Sequence, residues 1–133
     1  MARPFLGGSS AGVKDLTAAS TLSVADSGKV LFLNSSAEFA TTLPAPSKGL
    51  KFSFVVKAAP SGASYTIVTP SGAILGSCAQ GNAVPDMSDG SDTIITFVDG
   101  SAVVGDRIDL ICDGTNYYIV GGLAKVGAGM TIS

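Results

Sequence analysis

Histidine and tryptophan are both absent from this 133-residue chain. Without histidine the commonest general base and metal ligand is missing, and neither a Cys-His nor a Ser-His nucleophile can be assembled. Carboxylates alone can run glycoside hydrolysis, but that chemistry needs two acids on opposed walls of a sugar cleft, usually with aromatic platforms. Aspartates placed at turns are explained by turn chemistry, so no enzyme is expected. Gly121-Gly122 and Gly127-Ala128-Gly129 lack the Lys-Ser/Thr ending and following helix of a phosphate loop, and no cofactor is expected.

Charge is the next scarcity, at 14% of residues against about 25% in a typical soluble chain. A monomer normally stays soluble behind mixed surface charge, so a neutral surface predicts cover by other subunits. The basic residues Arg3, Lys14, Lys29, Lys48, Lys51, Lys57, Arg107 and Lys125 are spread thinly, and the net charge is −2. Nucleic-acid binding needs a clustered cationic face and is not expected. Lys51 and Lys57 share one side of a strand-like segment, which reads as a solvated edge-strand face.

No apolar run approaches the roughly 18 residues that span a bilayer, so no membrane partner is expected. The opening MARPFLGGSSAG lacks the apolar core of a secretion signal, which predicts a chain kept in a host cytoplasm until it joins an assembly. Cys78 and Cys112 are too few for a disulfide scaffold. Cys112 continues the alternation Ile108, Leu110, Cys112, so a small buried hydrophobe is the first reading and a disulfide the second.

What is present is strand and turn signal. Residues 1–28 are small and polar, with Gly7-Gly8-Ser9-Ser10 and few apolar groups, and read as a flexible N-terminal arm or one docked on a neighbour. An added strand at Leu22–Val24 is the lesser alternative. From Lys29 to Ser133 the punctuation is regular. Leu50, Phe52, Phe54 and Val56 alternate with Lys51, Ser53, Val55 and Lys57, the period that turns one strand face to a core. Pro46-Ser47, Pro60-Ser61-Gly62 and Pro70-Ser71-Gly72 mark turns between short strands, predicting an all-β, single-domain sandwich or barrel, jelly-roll-like, over residues 29–133.

Gly76–Ser91 reads as a polar loop. Its Asp86, Asp89 and Asp92 are three apart with no following Glu, which fits capped turns better than a calcium loop, and no metal site is expected. Asp92–Gly122 holds three apolar runs separated by Asp99-Gly100 and Asp113-Gly114. Asp-Gly between alternating apolar residues is the strongest short-range hairpin signal, so this stretch predicts a β-meander. Met130–Ile132 is a candidate closing strand.

Two blocks then carry a resemblance: Leu43-Pro44 leading to Gly49, Leu50, Phe52 and Phe54, and Gly105-Asp106 with Ile108, followed by Asp113-Gly114-Thr115-Asn116-Tyr117-Tyr118. Together they resemble a family of small β-rich structural proteins of tailed bacteriophages that includes capsid decoration, or cement, proteins. The resemblance implies a virion protein, commonly a homotrimer, set on the head surface at capsomer junctions with the major capsid protein as partner. Arg3, Phe5 and Leu6 of the arm are the expected partner contacts, a reading drawn from the arm rather than from the family. The alternative is a tail-fibre or tip module in which Asn116, Tyr117 and Tyr118 grip a host surface glycan.

Overall fold

The structure, a computed structural model, describes residues 12–35, 37 and 39–133. An eight-stranded sheet contains β1 (Val13–Leu16), β3 (Val30–Leu33), β5 (Lys51–Val56), β7 (Ile74–Leu75), β8 (Ser77–Gln80), β9 (Asp86–Met87), β11 (Arg107–Cys112) and β12 (Tyr117–Ala124). A five-stranded sheet contains β2 (Ser20–Thr21), β4 (Phe39–Thr42), β6 (Tyr65–Val68), β10 (Ile94–Phe97) and β13 (Met130–Ile132). The two sheets pack as an open sandwich and do not close into a barrel.

Period two builds the interior. Leu31 and Leu33 of β3, Phe52, Phe54 and Val56 of β5, and Ile108, Leu110 and Cys112 of β11 are buried. Phe39, Tyr65, Ile67, Ile95 and Phe97 from the five-stranded sheet join the same core. Each such side chain contributes about 1.5–3 kcal/mol relative to exposure. Tyr65 enters the core whole because its hydroxyl finds the backbone carbonyls of Ala58, at 2.7 Å, and Ser35. Cys78 and Cys112 are free and buried, so the disulfide reading falls away.

Up to Val68 the chain alternates between the sheets, and each strand lies parallel to the previous strand of its own sheet. Val13 pairs with Val30 and Val30 with Ser53; Ser20 pairs with Thr41 and Thr41 with Ile67. The crossover that a parallel pair requires is supplied here by a strand in the opposite sheet. After β9 the pairings of β10, β11 and β13 are antiparallel. Among the described residues six of the eleven pairings are parallel. The sandwich is therefore as expected, while its winding is not that of an all-antiparallel jelly roll.

Three expectations are corrected by this winding. Residues 12–28 are not a free arm, because Leu16 and Leu22 are buried in the core and β1 and β2 pair with β3 and β4; the rest of the expected arm lies outside the described residues. Lys14 and Lys29 then fix the connecting 3-10 turn through Asp26 Oδ1, at 3.3 and 3.1 Å. Next, the polar stretch Gly76–Ser91 contains the β8–β9 hairpin, whose first strand extends the sheet beside β12. Finally, Asp92–Gly122 is not one meander, since β10 lies in the five-stranded sheet and β11 and β12 in the other.

The reason lies at Asp99-Gly100. A two-residue type I′ turn needs positive φ at both central positions, and here only Gly100 has it, at 77°. Asp99 is instead tied sideways, its N–H donating to Ser64 Oγ and its Oδ1 accepting from Gly62 N–H, at 2.9 and 3.1 Å. The chain passes over the sandwich edge through buried Ala102 and reaches β11 beside the buried Asp106 carboxylate. That carboxylate accepts from the N–H groups of Val103 and Lys125, at 3.0 and 2.9 Å. The β11–β12 hairpin does form, but around Asp113, whose Oδ1 accepts from Thr115 and Asn116 N–H groups, both at 2.8 Å.

Candidate functional surface

Alternation that fills the core also determines what the outer faces carry. On the five-stranded sheet, Thr131, Thr96, Thr66 and Ala40 lie side by side in one row, and Ile94, Val68, Thr42 and Thr21 in the next. No charged side chain belongs to either row.

The eight-stranded sheet differs. Its rows are Tyr118–Ile111–Lys51, then Gly121–Asp109–Ser53–Val30–Val13, then Leu123–Arg107–Val55–Phe32–Asp15. Apolar groups dominate, and Tyr118, Val120 and Leu123 are exposed. Val120 faces outward because the β11–β12 register shifts at Asp109/Leu110, adding one residue to β12. Gly121 follows for a steric reason: a Cβ there would stand 2.9 Å from Asp109 Oδ2.

Most charges on this face are compensated internally. Arg107 pairs with Asp109, and Lys57 lies 2.8 Å from Asp15 and 5.5 Å above the Phe32 ring. The Lys57 ammonium, followed by the Asn34 amide, holds the Asp15 carboxyl below its ordinary value. Lys48 and Lys51 make no ion pair among the described residues. Lys51 does not sit on the expected edge strand, since β5 lies between β3 and β11.

Two open hollows flank Ile111. One, of about 280 Å³, is lined by Lys29, Lys51, Ser53, Asp109 and Val120 among others. The other, of about 290 Å³, is lined by Lys48, Gly49, Cys112, Asp113 and Tyr118 with Ile111 itself. Each combines an apolar floor with a rim of lysine and aspartate; Asp109 is held by Arg107 and Asp113 by the Thr115 and Asn116 N–H groups, so the surface suits an apolar side chain flanked by carboxylates better than a reacting substrate.

The expected contacts Arg3, Phe5 and Leu6 lie outside the described residues. The glycan trio is not brought together. Tyr117 is fully buried, with its hydroxyl donating to Pro44 O at 2.8 Å, and burial, then the neighbouring Cys112, pushes it up to about 12. Asn116 Oδ1 accepts from Ala73 N–H at 2.8 Å, leaving only Tyr118 outward. The loop aspartates serve the backbone: Asp86 accepts from Ile132 N–H, Asp89 from Ser91 N–H at 2.9 Å, and Asp92 from Asp89 N–H at 2.8 Å. Among the described residues no cluster of three His, Cys, Asp or Glu side chains could hold a metal ion.

Sequence reasoning missed the hollows because their walls come from β5, β11, β12 and the residues before β3 and β5, which period alone does not place side by side. No known protein family matches this chain, and no curated protein or solved structure matches it.

Proposed function

We propose that this chain is a structural subunit of a tailed-bacteriophage virion, a capsid decoration or cement protein that binds the head surface at capsomer junctions and stabilises the shell. The observation that carries the reading is the outer face of the eight-stranded sheet, where apolar side chains and internally paired charges surround two lysine-rimmed hollows. Such a face is built for burial against protein. The motif resemblance supplies the virion setting; of its residues, Leu43-Pro44 follow β4 of the five-stranded sheet and Asp113–Asn116 join β11 to β12.

In this reading the work is additive burial rather than chemistry. A standard interface buries about 1,600 Å² in total, and many copies bridging neighbouring capsid subunits resist internal pressure together. The major capsid protein and further copies of this chain, as a homotrimer, are the partners, and Arg3, Phe5 and Leu6 add contacts to the capsid. Electron microscopy of the source particle tests this. Density fitting the sandwich on the head at capsomer junctions is expected, and density confined to the tail overturns it. Deleting residues 1–12 should lower head occupancy; unchanged occupancy rejects the arm's role.

A further inference from the structure

The β8–β9 hairpin is an anomaly on a chain this poor in charge. Val84 and Met87 stand out from it at 83% and 69% exposure. Asp86, Asp89 and Asp92 are close to them in sequence, and none makes an ion pair among the described residues; Asp86 is turned to the Ile132 N–H, and Asp89 is exposed. This complements the two hollows, whose apolar floors beside Ile111 are rimmed by Lys48 and Lys51, while Asp109 is held by Arg107 and Asp113 by the Thr115 and Asn116 N–H groups.

The hairpin cannot reach its own hollows. Both belong to one sheet, in the order β5-β11-β12-β8-β9, so at strand spacings of about 4.8 Å the hairpin edge lies roughly 14 Å from β11 and points along the sheet. Gly81 locks the hairpin to β12: its N–H donates to Ala124 O at 2.9 Å, and a Cβ there would stand 1.9 Å from Lys125 O. Gln80 Nε2 donates to Met130 O at 2.8 Å, fixing the same hairpin to β13. A rigid acidic-apolar knob and a basic-apolar socket thus occur on one chain, in places where only a second copy can join them.

We propose that the β8–β9 hairpin of one copy seats in the Ile111 hollows of the next, with Val84 and Met87 over the apolar floors and the aspartates toward Lys48 and Lys51. The contact is head-to-tail, because the two patches differ, and it repeats until a ring closes. The inference rests on the self-association in the proposed function and assigns the hollows to it: a monomeric chain that still decorates heads defeats the inference alone, and an oligomer absent from heads defeats the capsid reading alone.

The test is light scattering on the purified full chain. Wild type is expected at a whole multiple of 13.2 kDa, with the multiple falling in high salt. A socket variant, Lys48→Glu with Lys51→Glu, sets glutamates against the aspartates, and a hairpin variant, Val84→Lys with Met87→Lys, sets ammonium groups on the apolar floors; each should run as one chain. All four positions are at the surface, and circular dichroism on every variant checks the fold. A fourfold variant that joins Lys48→Glu and Lys51→Glu to Asp89→Lys and Asp92→Lys should reassemble, since the charges across the contact are then exchanged. A wild type of one chain's mass overturns the proposal, as does an oligomer that neither variant dissociates or one that the fourfold variant fails to restore. If a monomeric wild type binds heads and the socket variant does not, the hollows belong to the capsid partner instead.

Discussion

The two outer faces of the sandwich obey the same alternation and carry different content. On the five-stranded sheet every second residue is a threonine or small aliphatic, without charge. On the eight-stranded sheet the same positions carry valine, isoleucine, tyrosine and phenylalanine crossed by two ion pairs, with Lys48 and Lys51 beside them unpaired among the described residues. The inner faces are alike, since both are bound by the same packing demand. The difference outside is therefore not required by the fold, and it is the ground on which we propose the larger sheet as the partner-facing one.

The strongest way to break the comparison is to remove what the two faces share. Phe54 is fully buried at the centre of β5, and Phe54→Ala is expected to cost about 3–5 kcal/mol, measured by denaturant unfolding. A loss under about 1 kcal/mol would mean that the sheets are not held by a common core. The faces themselves are separated by a matched pair of surface changes. Lys51→Glu should weaken self-association at least tenfold, while Thr66→Lys, an equally charged change on the threonine face, should leave the oligomer mass unaltered. Equal effects on sedimentation would erase the distinction.

How much of this could be read from the chain follows from what alternation encodes. It assigns each residue of β5 and β11 to a face, and those assignments are as expected from Phe52, Phe54, Ile108 and Leu110. It does not encode which strand lies alongside, so the parallel winding of β1, β3 and β5 was not legible. The β8–β9 hairpin was hidden because its strands are short and rich in small and polar residues, and its ladder to β12 joins sequence-distant positions. Asp99-Gly100 does turn the chain, with Val98 O accepting from the Ser101 and Ala102 N–H groups, but its aspartate is also tied to the Gly62–Ser64 loop and the strand that follows joins the other sheet. Lys48, Lys51 and Lys57 were visible as neighbours in sequence, but that Lys57 alone of the three is paired among the described residues depends on Asp15, which only the fold brings to it.

Smaller effects sharpen the picture within each sheet. Thr41 faces the core from β4 with its hydroxyl unpartnered among the described residues. Thr41→Val should stabilise the protein by about 1 kcal/mol by removing a buried polar group that has no partner. A destabilised variant would show that the hydroxyl is hydrogen-bonded in solution. In the turn that leads into β3, burial pushes the Asp26 carboxyl up, but Ser23 N–H, Lys29 and Lys14 outweigh it and hold the group below its ordinary value. Its stabilisation is then complete above about pH 4 and is lost as pH falls through the lower folded value. Asp26→Asn should therefore lower the melting temperature at pH 7 and converge with wild type in acid. A gap that persists at low pH would contradict the charge account.

Hydroxyl-radical footprinting of the assembled protein against its dissociated form reads both faces in one experiment. The account predicts protection on assembly at Ile111, Tyr118 and Met87, with Val68 and Ile94 on the threonine face labelled equally in both states. Protection at Val68 and Ile94 with none at Ile111 and Tyr118 would contradict it.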